Sequence, residues 1–166
     1  MKYLILLCII FNCSPAPAKN ILILGDSILA SLEQKHFDKS HKILNLARKN
    51  ANVSDVYGQL IGASNYKYDV IAISIGVNDL ENIEKKQELI NSLSKKAKVL
   101  YLPIVMLSNY PNFHRFERGI LLSDPKSNCT ILYLYHEHFT QVQTTDGLHL
   151  NEYGKRLVSD LIELNI

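Results

Sequence analysis

The chain has 166 residues, 47% of them hydrophobic and 20% charged, with a formal net charge of +2. That length holds one domain with a core of its own and leaves no room for a second. The near-balanced charge lacks the basic footprint of a nucleic-acid binder, so no nucleic-acid partner is expected.

The first segment reads as an export signal. Lys2 supplies a positive start, Leu4 to Phe11 form an unbroken apolar run, and Ala16-Pro17-Ala18 places small residues where a signal peptidase reads. Residues 1–18 are therefore expected to be a signal peptide and 19–166 the mature domain, exported to the periplasm or secreted. The apolar run falls short of the ~20 residues needed to span a bilayer. Lipid anchoring through Cys13 is the lesser alternative, because by resemblance to bacterial lipoprotein signals the preceding residue should be small and Asn12 is not. Cleavage after Ala18 leaves Cys129 as the only thiol and excludes an internal disulfide. Beside the apolar run Ile131 to Leu134, Cys129 reads as a structural, partly buried thiol.

Beyond the signal, apolar runs of strand length alternate with segments of helical period. Strands are predicted at Ile21–Leu24, Ile43–Leu46, Val70–Ile75, Val99–Val105 and Ile131–Leu134. Helices are predicted at Ile28–Lys35, Ser54–Gly62, Leu80–Lys96 and Asn151–Leu164. The strands are apolar on successive residues, as expected when helices cover both faces, and the alternation predicts an α/β domain around a parallel sheet. Asn151 is the expected N-cap of the last helix, and Tyr153, Leu157, Leu161 and Leu164 are expected to form its sheet-facing stripe. From Leu107 to Lys126 the pattern weakens to an irregular segment with a short helix near Phe113 to Leu121.

Ligands of such folds sit beyond the carboxyl ends of the strands, where four segments with chemical potential fall. Gly25-Asp26-Ser27 follows the first strand, and its serine arrives at a helix start, either as a nucleophile or as an ordinary N-cap. Asn50 to Ser54 follow the second strand. Gly76-Val77-Asn78-Asp79 follows the third, where Asn78 is an oxyanion donor or a helix cap. Asp146 and His149 flank Gly147 before the last helix, spaced so that the carboxylate can orient the imidazole; alone, the pair could equally be a surface turn or half of a metal site. No His or Cys at ligand spacing supports metal, and no cofactor is called for.

Taken jointly, Gly25-Asp26-Ser27, Gly76-Val77-Asn78-Asp79 and Asp146-Gly147-Leu148-His149-Leu150-Asn151 resemble the SGNH (GDSL-like) hydrolase family over essentially the whole mature chain. The resemblance implies a three-layer αβα, flavodoxin-like fold with a five-stranded parallel sheet. It also implies Ser27 as nucleophile, His149 as base, Asp146 as its orienter, and an oxyanion hole made by the Ser27 N–H, Asn78 and a backbone N–H after the second strand. Family members carry a glycine there. Here Asn50 takes its place, with Ala51 as the substitute, and Asn tolerates a left-handed backbone better than most residues.

The expected activity is serine ester hydrolysis of lysophospholipid, thioester, aryl or short-chain acyl esters, with O-acyl transfer to or deacetylation of a cell-wall or surface glycan as the alternative. A noncatalytic carbohydrate- or lipid-binding protein of the same fold is the rival from another class. The expected partners are a small-molecule, lipid or glycan ester and, transiently, a membrane surface; the expected state is a monomer. Substrate-binding residues are not assigned by sequence, although Tyr110, Phe113 and Phe116 could line an acyl or sugar site or serve as core anchors.

Overall fold

The computed structural model describes residues 17–75, 82–102, 128–132, 145 and 149–166. The proposed signal segment lies almost wholly outside them, as do Gly76 to Asp79, the irregular segment with Tyr110, Phe113 and Phe116, and Asp146. Five strands are present among the described residues: β1 (Asn20–Gly25), β2 (Lys42–Asn45), β3 (Val70–Ser74), β4 (Lys98–Tyr101) and β5 (Cys129–Ile131). All pair in parallel, in the order β2-β1-β3-β4-β5. This is the flavodoxin-like order, with its switch point between β1 and β3, where ligand crevices open.

Among the described residues four α-helices accompany the strands: α1 (Ser27–Ala30), α2 (Val53–Gly62), α3 (Ile83–Ser94) and α4 (Glu152–Glu163). The period-2 geometry of the strands sorts their side chains into two cores. Ile21, Ile23, Val70, Ala72 and Leu100 pack with Ile28 and Leu29 of α1 and with Val158 and Ile162 of α4. Leu22, Leu24, Ile71, Ile73 and Val99 pack with Val53 and Val56 of α2 and with Leu89, Ile90 and Leu93 of α3. The sheet is the middle of three layers, and Ile21 to Leu24 are fully buried because both faces are covered.

The predicted helix Ile28–Lys35 is corrected. It ends at Ala30, capped by Ser31, and a separate 3-10 turn covers Gln34–His36. The reason lies on β2: the Asn45 carboxamide donates to the Leu29 and Leu32 carbonyls, both at 2.8 Å. Carbonyls that a longer helix would have satisfied are thus taken by a neighbouring strand, and the chain is free to turn.

The face of α4 is also corrected. Asn151 caps it as expected, its side chain accepting from the Gly154 N–H at 2.9 Å. The buried line, however, is Gly154, Val158 and Ile162, whereas Tyr153 is 58% and Leu164 83% exposed. Leu161 packs at the edge of the core. Four-residue spacing from the small Gly154 aims Val158 and Ile162 at the sheet, each contributing about 1.5–3 kcal/mol by burial, and turns Tyr153 outward by one residue's rotation.

Candidate active site

The turn after β1 is built around a glycine that no other residue can replace. Gly25 has φ 111°, and a Cβ placed there would lie 1.8 Å from the Ser74 carbonyl oxygen on β3. This close approach lets the Asp26 N–H donate to the same oxygen at 3.0 Å. Asp26, buried to 1% exposure, is the N-cap of α1, its carboxylate accepting from the Ile28 N–H at 3.1 Å. The capping role is therefore filled by the aspartate, and Ser27 is left as the first helical residue. Its hydroxyl makes no hydrogen bond with another described residue, and the side chain is half-buried at the rim.

A second turn closes against the first. After β2 the Arg48 N–H donates to the Gly25 carbonyl at 3.0 Å, and the Ala51 N–H donates to the Arg48 carbonyl at 3.3 Å. Within this turn Asn50 is the one non-glycine residue with positive φ, 60°, among the described residues, while Ala51 is buried. Asn52 then starts α2 through a capping box, exchanging 3.0 Å hydrogen bonds with Asp55. Arg48 pairs with Asp55. The Asn52 N–H, followed by the Arg48 guanidinium, holds the Asp55 carboxyl below the usual carboxylate range.

His149 arrives from the opposite end of the chain. Its carbonyl accepts from the Thr145 N–H at 2.8 Å and from the Thr145 hydroxyl at 3.3 Å. Ser27, Ala30, Ser31, Lys49, Thr145 and His149 line one cleft of about 350 Å³. The structure thus brings together the predicted nucleophile and base, and it places Asn50 next in sequence to the cleft residue Lys49. Asn78 and Asp146 lie outside the described residues.

Two residues that the sequence reading left unassigned support this rim. Gln59, 7% exposed on α2, has Oε1 accepting from the Gly25 N–H at 2.8 Å and Nε2 donating to the Gly25 carbonyl at 3.0 Å. The available signal was a polar residue on the inward stripe Val53, Val56, Gln59 of an otherwise apolar face. Lys49 lines the cleft one residue before Asn50, and nothing in its sequence context marks it. Cys129 is a free, half-buried thiol, pushed up to about 11 by burial, as suits a structural role.

This parallel sheet, in the order β2-β1-β3-β4-β5 with helices on both faces, is a fold shared with solved structures that include a lipolytic protein of the G-D-S-L family. Three solved structures show the likeness. One, from Veillonella parvula, is a member of the lipolytic G-D-S-L family (15% identity, 87% of this chain and 96% of that one, TM-score 0.65). Another is the catalytic domain of Streptococcus pneumoniae peptidoglycan O-acetyltransferase A with a methylsulfonyl adduct (17%, 90% and 93%, TM-score 0.63). The third, from Streptococcus pneumonia, is described as proposed platelet activating factor (19%, 93% and 86%, TM-score 0.66). At these identities the shared property is the fold. No protein-family model matches the sequence, and none of the curated proteins does.

Proposed function

We propose that the chain is an exported serine ester hydrolase that cleaves carboxylic esters or thioesters through an acyl-serine intermediate. The observation that carries this reading is the shared cleft: Ser27 and His149, from opposite ends of the domain, line it together. Asp26 supplies the cap of α1 and so leaves the serine hydroxyl unoccupied by a structural task.

In the proposed reaction Ser27 Oγ attacks the ester carbonyl as its proton passes to His149. The tetrahedral oxyanion is held by the Ser27 and Asn50 backbone N–H groups and the Asn78 amide, and Asp146 steadies the imidazolium. The alcohol or thiol leaves with the proton from His149. Water then gives a proton to His149 and its oxygen to the acyl carbon, and the proton returns to Ser27 as the acid departs. Each oxyanion donor of this kind is worth about 2.7–4 kcal/mol in the transition state.

Transfer of the acyl group to a glycan hydroxyl in place of water is the second reading, supported by the likeness to the O-acetyltransferase catalytic domain. Ser27→Ala should abolish turnover of an activated short-chain ester while leaving the circular dichroism spectrum unchanged, and a fluorophosphonate should label Ser27 alone. Retained turnover in Ser27→Ala would remove the serine from the mechanism. Adding a glycan acceptor then separates the two readings by where the acyl group ends.

A further inference from the structure

The cleft contains one cation whose charge nothing described balances. Lys49 lines it beside Ser27 and His149, and makes no ion pair or hydrogen bond among the described residues. The neighbouring acids are committed elsewhere: Asp26 caps α1 from a buried position, and Asp55 pairs with the adjacent Arg48 and boxes Asn52. The remaining described lining, Ser27, Ala30, Ser31 and Thr145, is uncharged. Lys49 is therefore the one permanently charged side chain in the described lining.

We propose that Lys49 makes this an anionic-ester site, whose substrate carries a carboxylate or phosphate group beside the scissile carbonyl. The inference rests on the hydrolase reading and adds its substrate class. Lys49 immediately precedes Asn50, whose φ of 60° turns the backbone at the rim, so it is the chain neighbour of a residue proposed to supply an oxyanion donor. Lys49 is exposed, so its ammonium attracts an anion through partly screening water, and the attraction weakens with salt. It selects charge and not shape, so carboxylate and phosphate share it.

Two matched substrate pairs test this on the mature chain: 4-nitrophenyl butyrate against mono-4-nitrophenyl succinate, and 1-butyrylglycerol against 1-butyrylglycerol 3-phosphate. The anionic member of at least one pair should be favoured about tenfold in kcat/KM, through KM, equivalent to about 1.4 kcal/mol. The pair that shows it identifies the carboxylate or the phosphate source. Lys49→Arg should retain the ratio, Lys49→Met should bring it near one, and Lys49→Glu should invert it. Ratios at or below one for both pairs in the unmodified protein, or a ratio that Lys49→Glu does not change, would overturn the assignment. If Ser27 turns over the neutral esters and the ratios are flat, only the role of Lys49 fails. If neither pair is hydrolysed and the fluorophosphonate does not label Ser27, the hydrolase reading fails and takes this inference with it.

Discussion

Gln59 on α2 grips both polar groups of the Gly25 peptide residue, accepting from its N–H at 2.8 Å and donating to its carbonyl at 3.0 Å. The glycine is two residues from Ser27, so the amide fixes the strand end from which the serine is launched. Gln59→Leu keeps the side chain's bulk but leaves the buried Gly25 N–H without its acceptor, while the carbonyl retains the Arg48 N–H. Loss of about 1–3 kcal/mol is expected in urea unfolding, together with a lower kcat and a KM little changed. An unfolding midpoint equal to that of the parent chain would show that the clamp is dispensable.

Asn50 offers a separate handle on the rim. Its left-handed backbone strains any residue with a Cβ, asparagine less than most. Asn50→Gly should fold at least as stably as the parent and keep its turnover, because the proposed contribution is a backbone N–H. Asn50→Ala should lose about 1 kcal/mol and some kcat. Turnover lost in Asn50→Gly would instead assign the contribution to the carboxamide side chain.

Imidazole chemistry predicts the pH behaviour of the reaction. A base that must accept the serine proton is silenced when protonated, so turnover should fall on acidification. A rate flat from about pH 5 to 8 would argue against His149 as the base.

Acid stability has a different source. Glu152, at the start of α4, is held down to about 2 from an ordinary 4.5, chiefly by the hydrogen bond from Lys155 and then by that from His36. A folded value below the unfolded one means that the carboxylate stabilises the fold above about pH 4.5 and loses that contribution as pH falls toward 2. Glu152→Gln should therefore be less stable than the parent at pH 6, with the gap closing across that acid window and shrinking in high salt. Thermal melts at pH 6 and pH 2.5 measure it; a constant gap would contradict the linkage.

Burial of Cys129 predicts slow chemistry. With its thiol pushed up to about 11, the native protein should resist alkylation by iodoacetamide at pH 8 and react promptly once unfolded. Rapid labelling of the native thiol, read by peptide mass, would place it nearer the surface than the fold does.

Much of the architecture was readable in the residues alone, because strands buried on both faces need unbroken apolar runs such as Ile21 to Leu24 and amphipathic helices need polar faces between their stripes. Glycine before Asp26-Ser27 and asparagine before α4 likewise mark a turn and a cap through their own conformational and hydrogen-bonding preferences. What tertiary structure alone decided was set by partners distant in the chain. Asn45 ended α1 early, Gly154 and the sheet chose which side of α4 would be covered, Gln59 found Gly25 across two layers, and Lys49 came to share a cleft with His149. Local spacing encodes the periodicity of an element, but which carbonyl a carboxamide reaches, or which charge is left unbalanced, depends on how the elements pack.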